Sequence, residues 1–557
     1  MPFPIGGRDA LMGFLMALGV TLFLNAPLWT SVLRGGESGR QTVAIESSEE
    51  LLYLARVRET VDGYPSAGQP FVWELRSQWY PAGSLVEWLV GVPMRLGLTI
   101  KQTSMLADFF GPLLLVLLLW FGVRPLIASR GWRMSLVLLV FAGAGHAFWK
   151  RPIHPQTNFV LPLTYIALLL SRYRDRLPLC AARSALAGVM LYTYPYHWTY
   201  CIAAESCMAM MHIAMTHSRR QQWLSIIALV LPFSVVAAPW LVWSLPMLHT
   251  QASIDIAHRQ GVLDSRLPTA PLLQLKLLLL CAGIAYTAYR ERTMRPFLPL
   301  FALMAAGFIV FNQAMLTGKE LAFSSHYGPL VDIVIAIAFA LILSHWCQKR
   351  WLRYGVISLL MLHTLVLDIP LMRGEFQAFA RASLQRDHDE RSIVQLGDVP
   401  GEVVILAPLD IADSIPVYTD DYPLLSGNTM MSPLTDDELY ARAALQEDLT
   451  GEKLPWSMIV GFGPSHTQSR DRRLCAWIRL LGRSCVVPDL LEYLPERWRD
   501  FERRPSAVSA DILRSLHERH VSALVLAKPP PWLEPMLKPV RTVGEYTLYT
   551  WKVEEKK

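Results

Sequence analysis

Over its first 372 residues the chain is a succession of apolar runs separated by short polar connections, and about 20 such residues cross a hydrocarbon core as a helix. Residues 9–33 make the first run, with no charge between Ala10 and Arg34. Further runs fall near 108–128, 132–149, 156–171, 181–194, 197–215, 223–245, 270–288, 296–313, 328–346 and 354–370. The pattern predicts an α-helical polytopic membrane protein with about eleven transmembrane helices. From about Arg373 it changes: EVVILAPL, SALVLAKP and EYTLYTWKV alternate as strands do, and DDELYARAALQEDL between them has helical spacing. A soluble α/β domain is therefore expected over 373–557, after a membrane domain over 1–372 that includes a long outer loop at 34–105.

Charge fixes the expected orientation. Arg124, Arg130 and Arg133, then Arg172, Arg174, Arg176 and Arg183, then Arg219 and Arg220, then Arg290, Arg292 and Arg295, then Lys349, Arg350 and Arg353 occupy every second connection. The positive-inside rule makes those connections cytoplasmic. The N-terminus is then cytoplasmic, and the loops carrying Glu49, His154, His197 and His326 share the extracytoplasmic (periplasmic) side of a plasma (inner) membrane with the C-terminal domain.

Composition narrows the class. With 52% hydrophobic residues the chain is too apolar for an ordinary soluble protein, and its formal charge of +6 is spent on those connections, so nucleic acid is not an expected partner. Five of the seven cysteines sit in or beside apolar runs, where a thiol behaves as a small hydrophobe. Cys475 and Cys485 either pair, if the compartment is oxidising, or remain two nearby thiols.

Candidate chemistry gathers on the outer side. In IESSEELLYLARVRETVDGY, residues 45–64, Glu46, Glu49, Glu50 and Tyr53 share one helical face if Ser47 or Ser48 caps a helix. Crowded carboxylates raise one another's pKa, as a general base requires, although two glutamates at a helix start also complement its dipole. The stretch 79–97, with Trp79 and Trp88, reads as an interfacial helix. WKRPIHPQTNF supplies Arg151 and His154, and YTYPYHWTY supplies Tyr196 and His197 within what an aromatic belt would otherwise explain. TGKELAFSSHY supplies Lys319, Glu320 and His326. Cations opposite carboxylates are what a phosphate-bearing lipid and a nucleophilic hydroxyl together require.

These segments, SSEELLYLARVRETVDGYP, RPIHPQTNF, YTYPYHWTY and TGKELAFSSHY, resemble bacterial members of the type C integral-membrane glycosyltransferases. The resemblance implies inverting transfer of a sugar from a polyprenyl-phosphate or polyprenyl-diphosphate carrier to an extracytoplasmic glycan, lipid or protein acceptor. It assigns the catalytic base to Glu49 or Glu50. Relatives commonly carry Asp at this pair, and the extra methylene of Glu displaces the carboxylate by about a bond length, near the 1 Å to which reacting geometry is sensitive. Arg56, Arg58, Lys319, His326, Arg151 and His154 are the expected phosphate ligands, and Tyr53, His197, Tyr196 and Glu320 the expected substrate contacts. No cofactor and no required divalent metal are expected, since the first outer loop has no compact Asp-x-Asp motif. Two other classes remain: a transporter or flippase of lipid-linked sugars, for which His146 and Lys276 are the intramembrane candidates, and a non-catalytic membrane assembly protein.

Overall fold

The computed structural model describes residues 7–34, 48–64, 68–78, 83–141, 149, 151–215, 218–321, 324–349, 351–352, 354–359, 402–503 and 510–552, with isolated residues at 362, 366, 373 and 374. Helix α1 (Gly7–Arg34) is followed by α2 (Ser48–Val61) and the short α3 (Leu85–Val90) in the first outer loop, and then by α4 (Ile100–Gly122). The bundle continues with α5 (Arg130–Phe141), α6 (Val160–Leu170), α7 (Leu177–Val189), α8 (Pro195–Met215), α9 (Arg219–Leu248), a surface helix α10 (Gln251–Gln260), α11 (Pro271–Arg290), α12 (Leu298–Thr317) and α13 (Gly328–Trp346).

By length and composition α1 (over Gly7–Thr30), α4, α9, α11, α12 and α13 are each sufficient to cross a membrane, with shorter apolar helices over Pro155–Leu170 and Leu177–Tyr192. The first ten expected runs thus correspond to helices of the bundle. The run at 354–370 is helical over 354–359, and most of its remainder lies outside the described residues.

Helices α1 and α4 are antiparallel. Asn25 Nδ2 donates to the Asp108 carbonyl at 2.8 Å, and Gly13 makes room for the Trp120 ring at the other end. Asp9, buried at the start of α1, pairs with Arg133 at 2.6 Å, Arg130 at 3.3 Å and Arg124 at 3.5 Å. The N-terminus and the first arginine-rich connection therefore occupy one end of the bundle. A buried ion pair between Arg183 and Glu205 at 2.5 Å ties α7 to α8, and Tyr200 Oη donates to the Leu303 carbonyl at 2.6 Å, tying α8 to α12. Burial of both partners makes each such tie costly to break singly.

Of the stretch expected as one interfacial helix over 79–97, the described residues 83–97 form two pieces, α3 and a single turn over Val92–Arg95, and Trp79 lies outside the described residues. Proline at 93 lacks the amide hydrogen that would continue α3. Trp88, Leu89 and Leu96 remain exposed, as an interfacial segment would leave them.

The C-terminal region builds a five-stranded mixed sheet in the order β4 (Tyr422–Pro423), β3 (Val404–Leu406), β5 (Val521–Leu526), β7 (Tyr546–Trp551), β6 (Leu537–Val543). Strands β4, β3 and β5 are parallel, while β7 pairs antiparallel with both β5 and β6. Strand β5 has the near-continuous apolar run of a strand covered on both faces. Helices α14 (Asp436–Thr450), α15 (Gly463–Leu480), α16 (Glu496–Arg503) and α17 (Ala510–Glu518) complete the region, and Cys475 and Cys485 form a disulfide. The sheet includes β4 and β6, two strands the sequence pattern does not mark: β4 is two residues long, and β6 has only its first residue buried.

The first outer loop is clasped between the bundle and this sheet. Val417 packs with Leu54, Val57 and Phe71 in one apolar cluster. Arg442, almost wholly buried, donates to Glu74 at 2.7 Å, Ser432 Oγ to Gln69 at 3.0 Å, and the Trp73 ring lies 4.4 Å from His520. A two-stranded ladder, β1 (Leu263–Asp264) with β2 (Lys319–Glu320), joins the ends of two further outer connections.

Candidate active site

Helix α2 is the element on which the outer groups are arranged. Four of its polar residues, Glu50, Arg56, Glu59 and Thr60, are buried. Arg56 Nε lies 3.0 Å from Glu87 Oε1 of α3, and its other amino group donates to the Gly83 carbonyl. Gly83 has φ +74°, and a Cβ there would drive into the backbone of Tyr192. Glycine is thus required twice over, for the left-handed conformation and for the close approach. Through Arg56 and Gly83, α2 is set against the Tyr192–Tyr196 turn.

That turn is anchored in its own right. Tyr192 Oη donates to the Val236 carbonyl at 2.8 Å and accepts from the Trp240 amide at 3.1 Å, replacing an i to i+4 bond of α9 beside Pro239. A hydroxyl inserted beside a proline is a usual cause of a helix bend.

Beyond the turn, three outer segments converge. His197 is fully buried, 4.6 Å from the Phe159 ring and 5.0 Å from Tyr194. Tyr194 Oη hydrogen-bonds His326 Nδ1, and the His326 ring lies 5.2 Å from Tyr196. Tyr196 stands edge-on to Tyr327 at 5.1 Å, whose hydroxyl is 2.8 Å from Thr199 Oγ1. Trp149 extends this wall, 5.0 Å from Phe159, with its carbonyl accepting from Gln156 Nε2 at 2.8 Å. Tyr53 of α2 lies within electrostatic range of the Tyr196 hydroxyl. Glu50, one turn before Tyr53, projects from the same face.

The expected site residues therefore divide. Tyr196, His197 and His326 come together in this wall, with Tyr53 within electrostatic range of Tyr196; Glu50 is buried on the Tyr53 face of α2, and Arg151, half-buried, opens the turn that leads to Gln156. The side chains of Glu49 and His154 lie outside the described residues, as do Glu46 and His146. Arg56 is committed to Glu87 and acts on the placement of α2 instead of reaching a phosphate. Arg58 turns to the C-terminal domain, pairing with Asp62 at 2.8 Å and donating to the Tyr418 carbonyl at 3.4 Å. Lys319 pairs with Asp264 at 2.7 Å across the β1–β2 ladder, and Glu320 accepts from Arg473 at 2.6 and 2.7 Å. The last two serve the junction with α15. Lys276 lies within electrostatic range of Asp332 on α13.

Two groups of residues went unmarked in the sequence reading. Lys101, Ser104 and Asp108 are buried on one face of the first two turns of α4, and their spacing of three and four was a visible signal. Glu59 lies half a turn round α2 from Glu50 and accepts from Tyr422 Oη at 3.1 and 3.3 Å. Burial, helped by the nearby carboxylates of Asp62 and Glu402, pushes its pKa up to about 8 against the hydrogen bond from Tyr422 and the charge of Arg76. Asp421, the residue before Tyr422, is pushed up to about 7, chiefly by burial.

A cavity of about 670 Å³, lined by Arg174, Asp175, His212, Gln221 and Arg295 among others, lies at the opposite, arginine-rich end of α7 and α8 and shares no residue with the aromatic wall.

Among solved structures the chain is similar to the crystal structure of ArnT from Cupriavidus metallidurans bound to undecaprenyl phosphate, at 14% identity and a TM-score of 0.45, over 98% of both chains. No family model matches the chain, and no curated protein matches it. The functional argument accordingly rests on the side chains of this chain.

Proposed function

We propose that the protein is an inverting membrane glycosyltransferase of the type C class, which moves a sugar from a polyprenyl-phosphate carrier to an acceptor on the outer side of the membrane. What supports the reading is that Tyr53 of α2, one turn after the buried Glu50, lies within electrostatic range of Tyr196, whose ring is 5.2 Å from the His326 that bonds Tyr194, while the C-terminal domain packs on the same loop. Glu50 takes the proton of an acceptor hydroxyl. The freed oxygen forms its bond to the anomeric carbon while the bond from that carbon to the phosphate oxygen breaks, and the polyprenyl phosphate leaves with the electron pair. A carboxylate removed from water holds its proton more tightly, which brings its basicity toward that of the acceptor in the transition state. His326 and Arg151 are the donors suited to the departing phosphate, and a ring wall of the kind formed by Tyr196 and Tyr194 is suited to the apolar face of a sugar.

Purified protein supplied with a polyprenyl-phosphate carrier of a radiolabelled sugar should release a new covalent product, and Glu50→Gln should abolish release while leaving the elution profile and melting temperature unchanged. Full transfer by the Gln variant would reject Glu50 as the base. Movement of the lipid across vesicles without any new product would identify a flippase instead.

A further inference from the structure

The amphipathic character of α15 has no use inside its own domain. Its sequence, GPSHTQSRDRRLCAWIRL, places Leu474, Trp477, Ile478 and the following Leu481 at intervals of three and four, so they form one stripe. In a soluble domain such a stripe would face the core. Here Leu480 is 77% exposed, Leu481 78% and Val486 87%, and Leu474, Trp477 and Leu491 beside them are exposed as well. Apolar side chains exposed together on one short segment mark an interaction site. It is also held rigid. Cys475, buried on the other face, is bonded to Cys485, Arg479 donates to the Cys485 carbonyl at 2.8 Å, and Gln468 to that of Pro488 at 3.0 Å.

The contacts of α15 fix its height. The Phe462 amide donates to the Arg259 carbonyl at 2.6 Å, Arg470 to that of Asp264 at 3.2 Å, and Arg473 pairs with Glu320 at 2.6 Å. Glu320 follows directly on the end of α12, while Arg259 and Asp264 lie in α10 and β1, within the connection from α9 to α11. Leu316, 83% exposed on the last turn of α12, is four residues before Glu320, a distance of at most about 14 Å along the chain. Exposed Leu272 begins α11 at the same end. This keeps the start of the stripe close to the end of α12; Arg472 and Arg479, on the side of the helix away from the stripe, and Arg483, just past its end, are exposed.

We propose that α15 and its disulfide-closed turn are a membrane-surface anchor. Leu474, Trp477, Leu480, Leu481 and Val486 enter the outer leaflet, Arg472, Arg479 and Arg483 contact the phosphates of anionic phospholipids, and the domain is held down on the first outer loop. Amphipathic helices of this composition bury their apolar face about 5–10 Å into the interface.

The test uses the full chain in nanodiscs of phosphatidylethanolamine and phosphatidylglycerol, a fraction of whose acyl chains carry a diazirine. After illumination, peptides covering 474–486 should carry lipid adducts along with the outer ends of the spans. The triple variant Leu474→Ser, Trp477→Ser, Leu481→Ser should lose at least fivefold of that labelling with the spans labelled as before, and Arg472→Gln, Arg479→Gln, Arg483→Gln should lose two- to threefold. Wild-type protein labelled on residues 309–316 but bare at 474–486 would overturn the proposal. Labelling unchanged by the arginine substitutions would overturn the phosphate contacts.

Discussion

Arg56 Nε lies 3.0 Å from Glu87 Oε1, both side chains are buried, and the same guanidinium holds the Gly83 carbonyl. One residue of α2 thereby fixes two points of the loop that follows it and, through Gly83, the turn at Tyr192. The placement of the Glu50–Tyr53 face, with Tyr53 near Tyr196, depends on that chain of contacts, because nothing within α2 itself decides which neighbour this face meets.

Removing one partner of this pair leaves the other charge buried without its counter-ion, which costs about 3–5 kcal/mol, whereas replacing both with apolar groups is close to neutral. Glu87→Leu should therefore lower the melting temperature sharply in detergent, and adding Arg56→Met should restore most of it. Fluorescence-detected melting of the two variants and the wild type checks this. If the double variant melts no higher than the single, the pair is not what holds the loop.

Gly83→Ala meets two obstacles, a left-handed backbone and the Tyr192 main chain. The first costs about 1–2 kcal/mol and overpacking another 1–3. Loss of stability of about 2–5 kcal/mol is expected, with transfer activity reduced further because α2 moves off the turn. Gly97→Ala is the control: its φ is also positive, and nothing surrounds the position where a Cβ would go. It should lose only the backbone share and keep its activity.

Much of this arrangement was legible in the sequence, and the remainder has a common cause. Long apolar runs and alternating arginine connections specify helices and the end of the bundle each loop occupies, and the Asp9 cluster with Arg124, Arg130 and Arg133 is a local expression of that pattern. The crowding of tyrosine and histidine in two outer turns pointed to a cluster, and Tyr194, Tyr196, His197 and His326 form one. What the sequence did not reveal is which charge meets which. Arg56 with Glu87, Lys319 with Asp264 and Glu320 with Arg473 join residues 31 to 153 positions apart, and no periodicity encodes such partners. Glu59 escaped notice because its burial comes from a domain more than 340 residues further along the chain.

The Tyr194–His326 bond orients the imidazole that the proposed chemistry needs. Tyr194→Phe keeps the ring stack at 5.8 Å and removes the hydroxyl. A neutral hydrogen bond contributes about 0.5–1.5 kcal/mol, so stability should fall little while kcat falls about tenfold. His326→Ala, which deletes a donor to the departing phosphate, should cost about 100- to 1,000-fold in kcat. Steady-state kinetics on the two variants separates orientation from direct contact. Equal losses would show that the histidine only supports Tyr194.

The clasp between α2 and the C-terminal sheet should loosen as pH rises, because it encloses Glu59. Burial raises this carboxyl from its usual 4.5 to about 8 in the folded protein, so between these values the folded state binds a proton that the unfolded state has released. Stability then falls with rising pH across that window and levels off above it. At about pH 6 a neutral acid accepts the hydrogen bond from Tyr422; by pH 9 a buried carboxylate does, with Asp62 and Glu402 close by. Glu59→Gln keeps an acceptor for Tyr422 and cannot ionise, so the variant should show a flatter pH dependence than the wild type and be the more stable of the two at pH 9. Hydrogen exchange of peptides covering 51–61 and 418–425, measured at pH 6 and pH 9 and corrected for the intrinsic rate, reports the opening directly. Protection that is lost equally in the wild type and the Gln variant would assign the pH response to another group, with Asp421 next in line.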